Sequence, residues 1–306
     1  MGQYLVRRVL QSILVILGVT AVSFGVLFLN GDPATALLGD QNVSPAVVAQ
    51  FRRDLGFDQP WYIQYGIFLG RLVRGDLGKS LYQGVSNVLL IKETLPATVE
   101  LAMTATALSV SIGIPIGILS AYKRNSAADR MSMGAALAAQ SMPAFWLGLM
   151  LLLIFAAGLR WLPVSGGGDV PHLILPAVTL AMVSTARNAR MVRSSMLDVL
   201  SQDYIRTARS KGLAERPVLY VHGLRNALLP VVTLIGLDLG FILGGTVVVE
   251  TIFAWPGMGR MIIQAINTKD LPLVQACVIV LALIFVAINL IVDLLYKYLD
   301  PRVRYG

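Results

Sequence analysis

Long uninterrupted runs of apolar residues recur along the chain. A helix needs about 20 apolar residues to cross the hydrocarbon core of a bilayer, and six segments meet this requirement. They cover residues 9–29, 97–121, 133–157, 173–189, 228–249 and 273–295. This pattern predicts an all-α integral membrane protein with about six transmembrane helices.

The composition agrees with the pattern. Hydrophobic residues make up 56% of the 306-residue chain and charged residues only 14%, against about a quarter in an average soluble domain. So few charges cannot coat the surface of a soluble protein of this length. A soluble fold is therefore excluded.

The distribution of Lys and Arg predicts the orientation. Most of the 25 basic residues fall on one side if both termini are placed in the cytoplasm, as the excess of positive charge in cytoplasmic loops requires. The short loop around residues 122–130 and the tail at 297–306 carry this argument. The net charge of +8 is therefore a topology signal, with membrane lipid as the partner and no nucleic acid.

Candidate chemistry is sparse. Cys277 is the single cysteine, so neither a disulfide nor a thiolate metal cluster is possible. His172 and His222 fall on opposite sides of the membrane and cannot share a metal ion. Gly78-Lys79-Ser80 looks like the end of a phosphate-binding loop, but Val73 occupies the position of its required first glycine. We therefore expect no metal, no cofactor and no ATP site on this chain.

Two segments are too long to be simple connections. Residues 30–96 mix apolar and charged positions and predict an extracytoplasmic subdomain, with a helix over residues 44–55 that begins at Ser44-Pro45. The second segment, residues 190–225, predicts a short polar helix near 203–212, capped by Asp203 and ended by Gly212 in the left-handed conformation. Such a helix suits a groove in a partner protein, or equally an interface with anionic lipid.

This second segment resembles the cytoplasmic coupling loop of ABC importer permeases. The general pattern is Glu-Ala-Ala, three residues, then Gly, and here Arg206-Thr207-Ala208 and Gly212 keep the Ala and the Gly. The run Asp203-Tyr204-Ile205-Arg206-Thr207-Ala208-Arg209-Ser210-Lys211-Gly212 is similar to the dipeptide/oligopeptide branch of that family. Further blocks in the family's order are Gly31-Asp32-Pro33, Leu55-Gly56-Phe57-Asp58-Gln59-Pro60, Gly75-Asp76-Leu77-Gly78, Glu250-Thr251-Ile252-Phe253-Ala254-Trp255-Pro256-Gly257 and Asp300-Pro301-Arg302.

The resemblance implies a type I ABC importer permease fold, with a permease core over residues 97–296, in a bacterial inner membrane. The chain looks like the first permease of a heterodimeric pair. Its implied partners are a second homologous permease, two cytosolic ATPase subunits that hold ATP and Mg, and an extracytoplasmic substrate-binding protein. The residues expected to couple to the ATPases are Tyr204, Arg206, Thr207, Ala208, Lys211 and Gly212.

The fifth predicted helix contains the central charge, Asp238. A charge at the middle of a membrane helix costs about 2.5–3.5 kcal/mol on insertion scales, so Asp238 faces the bundle interior or a water-filled path. There it either contacts a substrate amine or forms a gating hydrogen bond, or else it is a structural partner of a neighbouring helix or of the second permease. Glycines at four-residue spacing form a stripe for close helix packing, and a second face is expected to line the translocation path. The packing stripe is Gly236, Gly240 and Gly244, and the path face is Asp238, Phe241 and Gly245.

Three functions remain open at this point. The leading one is a non-enzymatic permease for dipeptides or oligopeptides that works by alternating access. An ion-coupled secondary transporter would need a chain of ionisable groups inside the membrane, for which Asp238 alone is thin support. An intramembrane enzyme would need a nucleophile and a base at membrane depth, and neither histidine lies there.

Overall fold

The computed structural model describes residues 2–29 and 58–299, with a few single positions between residues 44 and 53. The predicted turn at Gly31-Asp32-Pro33, most of the predicted helix at 44–55 and the tail from Asp300 lie outside the described residues. The chain divides into two compact units. One comprises residues 1–97 and 256–290, and the other residues 98–255 and 291–306.

Helices make up nearly all of the regular structure in the described ranges, as the apolar pattern predicts. They are α1 (Gly2–Leu29), α2 (Trp61–Val73), α3 (Asn87–Tyr122), α4 (Ala127–Ser141), α5 (Ala144–Leu151), α6 (Val170–Leu200), α7 (Asp203–Ser210), α8 (Arg225–Ile252), α9 (Met258–Asn267) and α10 (Leu271–Leu299). Two stretches wind as π-helix, Leu152–Gly158 after α5 and Val218–Leu224 before α8.

Five of the described helices are long and apolar enough to cross a membrane. The sixth crossing requires α4 and α5 to act together, and these two helices meet at a bend of 105°. The sequence pattern predicts one continuous span over residues 133–157, and the structure breaks it at Met142 and Pro143. Met142 is extended, with φ −89° and ψ 129°, because the ring of a following proline disfavours the helical conformation.

In the second unit, α3 and α6 approach closely through small residues. A Cβ added at Gly117 would lie 2.6 Å from the Ala189 carbonyl oxygen and 2.6 Å from Val192 Cβ, and one at Gly113 would lie 3.0 Å from Asn188 Cβ. Buried side chains from α3, α6 and α8 then fill the core beside this contact. They are Ile118, Ala121, Val192, Met196, Leu219, Ala227 and Val231.

The first unit has its own core, made by the start of α3, by α9 and by the first turns of α10. Leu90, Met258, Ile262 and Cys277 are buried there. Cys277 is a free, fully buried thiol, as a small apolar packing residue would be. Separately, α2 packs on α1, where the Tyr65 hydroxyl lies 2.9 Å from Thr20 Oγ1.

Candidate functional site

The short helix α7 presents a polar face to solvent from a fixed apolar base. Ile205 is fully buried and Ala208 is nearly so, and both pack against Val218 and Leu200. The spacing of three residues places Ile205 and Ala208 on one side of the helix. The remaining side chains of α7 are exposed, so this helix offers a surface that the described part of the chain leaves uncovered.

The end of α7 is a Schellman motif. Gly212 has φ +76°, its N–H donates to the Arg209 carbonyl at 2.9 Å, and the Leu213 N–H donates to the Ala208 carbonyl at 3.4 Å. These are the two hydrogen bonds that define the motif. The predicted left-handed stop at Gly212 is confirmed. The predicted cap is wrong, because Asp203 is the first helical residue and Gln202 occupies the cap position without a side-chain hydrogen bond.

Two polar contacts tie α7 to the segments that follow it. The Asn226 side-chain amide donates to the Tyr204 hydroxyl at 2.9 Å, which joins α7 to the first turn of α8. The Arg209 guanidinium donates to both carboxylate oxygens of Glu215, at 2.9 and 3.3 Å. With the apolar base on Leu200 and Val218, these contacts attach α7 to the end of α6 and to the start of α8.

The predicted coupling residues divide into two groups. Ala208 belongs to the buried base. The others are exposed, and they are Tyr204, Arg206, Thr207, Lys211 and Gly212. A displacement of the exposed face would pass through the base into α6 and α8, which α7 connects.

Midway along the same two helices lies an ion pair. The Arg187 guanidinium of α6 donates through Nη1 to Asp238 Oδ1 of α8. The Asp238 side chain is 2% exposed and the Arg187 side chain 30%. The guanidinium carbon also lies 5.2 Å from the centre of the Phe241 ring, a distance at which the cation is attracted to the aromatic face.

The described parts of α6 and α8 carry further buried polar atoms with unused hydrogen-bonding capacity. Asp238 Oδ2 and Asn188 Oδ1 are buried, and neither has a hydrogen-bond partner among the described residues. The Ser184 hydroxyl adjoins the Asp238 carboxylate without meeting hydrogen-bond geometry. Buried polar atoms without partners are uncommon in proteins, so the interior here is more polar than core packing alone requires.

Three arginines of α6 recur at three-residue intervals, and each contacts another helix. Arg187 pairs with Asp238 of α8, and Arg190 donates to the Gln140 side chain of α4. Arg193 forms a bidentate pair with Asp129 of α4. The C-terminal half of α6 is therefore attached to α4 and α8 through side chains.

The glycine stripe of α8 is not uniform. A Cβ at Gly236 would lie 2.3 Å from a methyl carbon of Val292, so these positions touch, and Gly240 is buried. Gly244 is exposed, with no atom within 4 Å of its added Cβ. A packing role for Gly244 stays a prediction about a surface outside this chain.

The predicted path face is also mixed. Asp238 is buried, Phe241 is 63% exposed, and a Cβ at Gly245 would lie 3.6 Å from Leu180. The exposed cation beside them is Arg187, which the sequence pattern did not single out. A role for Asp238, Phe241 and Gly245 in a translocation path stays a prediction.

In the first unit, Asp270 organises the loop before α3. This buried carboxylate accepts a hydrogen bond from Ser80 Oγ at 2.5 Å and from the backbone N–H of Leu81 at 3.2 Å. It also caps α10 by accepting from the Leu273 N–H at 3.3 Å. Ser80, the last residue of the apparent phosphate-loop fragment, therefore has a structural partner.

Two family models cover the chain. The model described as "Binding-protein-dependent transport system inner membrane component" matches residues 113–305. The N-terminal model described as "Binding-prot-dependent transport system membrane comp, N-term" matches residues 1–102. The chain belongs to this family of transport permeases.

Full-length relatives place the permease in the peptide branch of ABC transporters. It is 44% identical to the dipeptide transport system permease protein DppB of Alkalihalophilus pseudofirmus, covering 99% of each chain. It is 40% identical to the dipeptide transport system permease protein DppB of Escherichia coli, covering 100% of this chain and 99% of that one. The predicted family is confirmed.

The fold is also that of a solved ABC importer permease. A chain of the inward-facing MetNI methionine ABC transporter superposes with a TM-score of 0.60 at 18% identity, covering 70% of this permease and 97% of that chain. An identity this low supports the shared fold alone. The predicted type I permease fold is confirmed.

Sequence reasoning missed two pairs in this permease. Arg187 lies within the fourth predicted span, but it was counted among the basic residues on the cytoplasmic side of the membrane. A cation in one span and a lone acid in another were the available signal that the two would pair. Asp129 and Arg193 gave no such signal, because both flank apolar segments where charges are ordinary.

Proposed function

We propose that this permease is one subunit of an ATP-driven importer that carries dipeptides or oligopeptides across the cytoplasmic membrane. The names of its full-length relatives support the substrate class. The permease is not itself an enzyme in this proposal. Hydrolysis of ATP with Mg takes place on two cytosolic ATPase subunits, and an extracytoplasmic binding protein delivers the peptide.

The observation that carries the proposal is the geometry of α7. Its polar face is exposed, its apolar base is buried, and it connects α6 to α8. A rigid stub of this kind can seat in a groove of an ATPase and convert movement of that subunit into movement of two membrane helices. The loop containing α7, and both termini, lie in the cytoplasm in this arrangement, as the basic residues favour.

Alternating access then requires a second permease that completes the path. Residues 297–306 and the coupling loop face the ATPases, and residues 30–96 face the binding protein. The exposed side of α8 at Phe241 and Gly244 is not covered by any of the described residues, which is consistent with a second homologous subunit. Lipid surrounds the remaining apolar surface.

An ion-coupled carrier has less support. That function rested on Asp238 as a lone titratable group in the membrane, and the Asp238 carboxylate is paired with Arg187 instead. A carrier would also need further ionisable groups along its path inside the membrane. The geometry therefore favours the ATP-driven permease.

Site-directed crosslinking tests the proposal in native membranes. Cys277 is buried, so a cysteine placed at exposed Ser210 is the reactive one. We expect Ser210→Cys to crosslink to an ATPase subunit, in a yield that changes between ATP-bound and nucleotide-free states. Thr251→Cys, exposed at the opposite end of α8, is the matched control and should give no ATPase adduct.

Reconstitution completes the test. The four-subunit complex with its binding protein should accumulate a dipeptide in proteoliposomes only when ATP is present on the ATPase side. Uptake by this chain alone under an ion gradient, with no ATPase recovered on purification, would overturn the proposal.

A further inference from the structure

The Arg187–Asp238 pair lies midway along α8, one of the described helices that are long and apolar enough to span a membrane. Asp238 is 13 residues after Arg225 and 14 before Ile252, the ends of α8, so about 20 Å of helix separates it from either end. A charge at this depth is rare and faces either the bundle interior or water. Arg187 reaches the surface of the second unit at this depth, where 30% of its side chain is exposed.

The guanidinium retains most of its donors. Arginine carries five N–H groups, and a single hydrogen bond, from Nη1 to Asp238 Oδ1, involves Arg187 among the described residues. Asp238 holds the inner edge of the guanidinium, and the Phe241 ring lies 5.2 Å from its carbon. The remaining N–H groups make no hydrogen bond within the described part of the chain.

The exposed part of a cation that lies midway along a membrane-spanning helix cannot face hydrocarbon without a large penalty. It therefore faces a water-filled path or a polar group of another molecule. Phe241, 63% exposed beside it, adds an apolar surface next to the charge. A guanidinium fork beside an exposed aromatic ring suits an anion that carries an apolar group.

We propose that Arg187, positioned by Asp238 and flanked by Phe241, is a binding point for the C-terminal carboxylate of the transported peptide. This inference rests on the proposed function and deepens it. The planar fork of arginine matches a carboxylate in a bidentate way. Asp238 acts through Arg187 as a positioning residue, and the Phe241 ring contacts the C-terminal side chain of the peptide.

The Arg187–Asp238 ion pair is also compatible with release of the transported peptide. Asp238 neutralises Arg187 when no peptide is present, so the site is a neutral pair with spare donors rather than an isolated cation. A carboxylate that binds there competes with an existing partner and is not trapped. A transport site requires this balance, since substrate must leave as well as bind.

The test is an equilibrium binding measurement on the assembled complex of both permeases and the ATPases, without the binding protein, in nanodiscs. The probes are radiolabelled dialanine and dialanine amide, which differ at the C-terminal carboxylate. We expect the wild-type complex to bind the free acid at least about tenfold more tightly, the effect of one charge-assisted contact. The double variant Arg187→Gln/Asp238→Asn should reduce this ratio to about one.

Matched variants distinguish an effect of the lost charge on peptide binding from an effect on folding and assembly. The double variant leaves no unpaired buried charge, so it is expected to assemble. Arg187→Lys keeps the charge without the fork and should retain part of the preference. Arg190→Gln removes an exposed arginine one turn away on the same helix and should keep the full preference.

Several outcomes would overturn the inference. They are an unchanged ratio in the double variant, an equal or undetectable affinity of the wild-type complex for the two probes, and loss of the second permease from the double variant but not from Arg190→Gln. The last result would make the pair a subunit contact. A failure of the proposed function is recognised by a separate measurement. In that case the wild-type complex, supplied with its binding protein, shows no ATP-driven uptake of dialanine.

Discussion

Arg193 of α6 and Asp129 of α4 form a bidentate ion pair, with Nε to Oδ1 and Nη2 to Oδ2 both at 2.7 Å. The Asp129 carboxylate is nearly fully buried, and the backbone N–H of Asn125 also donates to it at 2.9 Å. The loop between α3 and α4 is thus attached to the end of α6 that leads into α7.

Removing one member of this pair leaves the other charge buried without a partner. Such a loss costs about 3–5 kcal/mol when the pair is buried, and we expect the lower end for Arg193→Gln because a quarter of the arginine side chain is exposed. Arg190→Gln is the same change one turn earlier, at an exposed bond to Gln140, and should cost less than about 1 kcal/mol.

Thermal unfolding of the purified complex measures both changes. The melting temperature should fall clearly for Arg193→Gln and little for Arg190→Gln. Equal shifts would show that the bidentate geometry contributes nothing beyond an exposed contact.

The apolar base of α7 gives a second prediction. Val218 is fully buried beneath α7, and Val221, three residues later in the same π-helical stretch, is 57% exposed. Val218→Ala removes two buried methyl groups and should cost about 2 kcal/mol, which loosens α7. Val221→Ala should be neutral.

The measurement is the amount of peptide imported per ATP hydrolysed in proteoliposomes. We expect Val218→Ala to lower this ratio several-fold while ATP hydrolysis continues, because α7 then moves without moving α6 and α8. A ratio that falls equally for Val221→Ala would contradict a role for the buried base.

Local patterns predicted the helices well. Apolar length alone located the membrane segments, and the polar run ending at Gly212 located α7 and its left-handed stop. Both signals are carried within one stretch of sequence. The break at Pro143 was not predicted, although a proline inside an apolar run disfavours helix at the preceding residue.

Contacts between distant residues were not predictable in this way. Gly236 and Gly244 share one stripe and one spacing, but only Gly236 meets a side chain, that of Val292. Periodicity says which residues share a face and not what covers that face. The partner of Asp238 could not be predicted from the sequence either, because it depends on how α6 and α8 pack.

Substitutions at Gly212 test whether peptide uptake depends on the backbone conformation at the end of α7 or on a contact made there. Its φ of +76° is unfavourable for residues with a Cβ, while an added Cβ there would meet no atom within 4 Å. Gly212→Ala should therefore cost about 1–2 kcal/mol through the backbone alone. Gly212→Asn should cost less, because asparagine adopts the left-handed region more readily.

Peptide uptake by cells that express each variant at matched levels distinguishes the two causes. We expect uptake to decrease in the order Gly, Asn, Ala. Equal loss for Asn and Ala would indicate that a partner protein touches this position and tolerates no side chain.

The contact between Gly236 of α8 and Val292 of α10 allows a compensated test. A Cβ at Gly236 would lie 2.3 and 2.5 Å from the two methyl carbons of Val292, so Gly236→Ala forces the helices apart. Overpacking of this kind typically costs about 1–3 kcal/mol. Val292→Ala removes both methyl groups and should restore most of the stability lost in Gly236→Ala.

A double-mutant cycle on the melting temperature of the complex measures this compensation. The control is Gly244→Ala, which introduces the same methyl group on the same helix, where no atom of the described residues lies within 4 Å. It should leave the stability of the chain unchanged or raise it by up to about 1 kcal/mol, because alanine is the better helix former. If Gly244→Ala instead releases the second permease on purification, the exposed end of the glycine stripe is a subunit contact, and the expected packing role of Gly244 applies between chains. Additive effects of Gly236→Ala and Val292→Ala would show that the two positions do not touch.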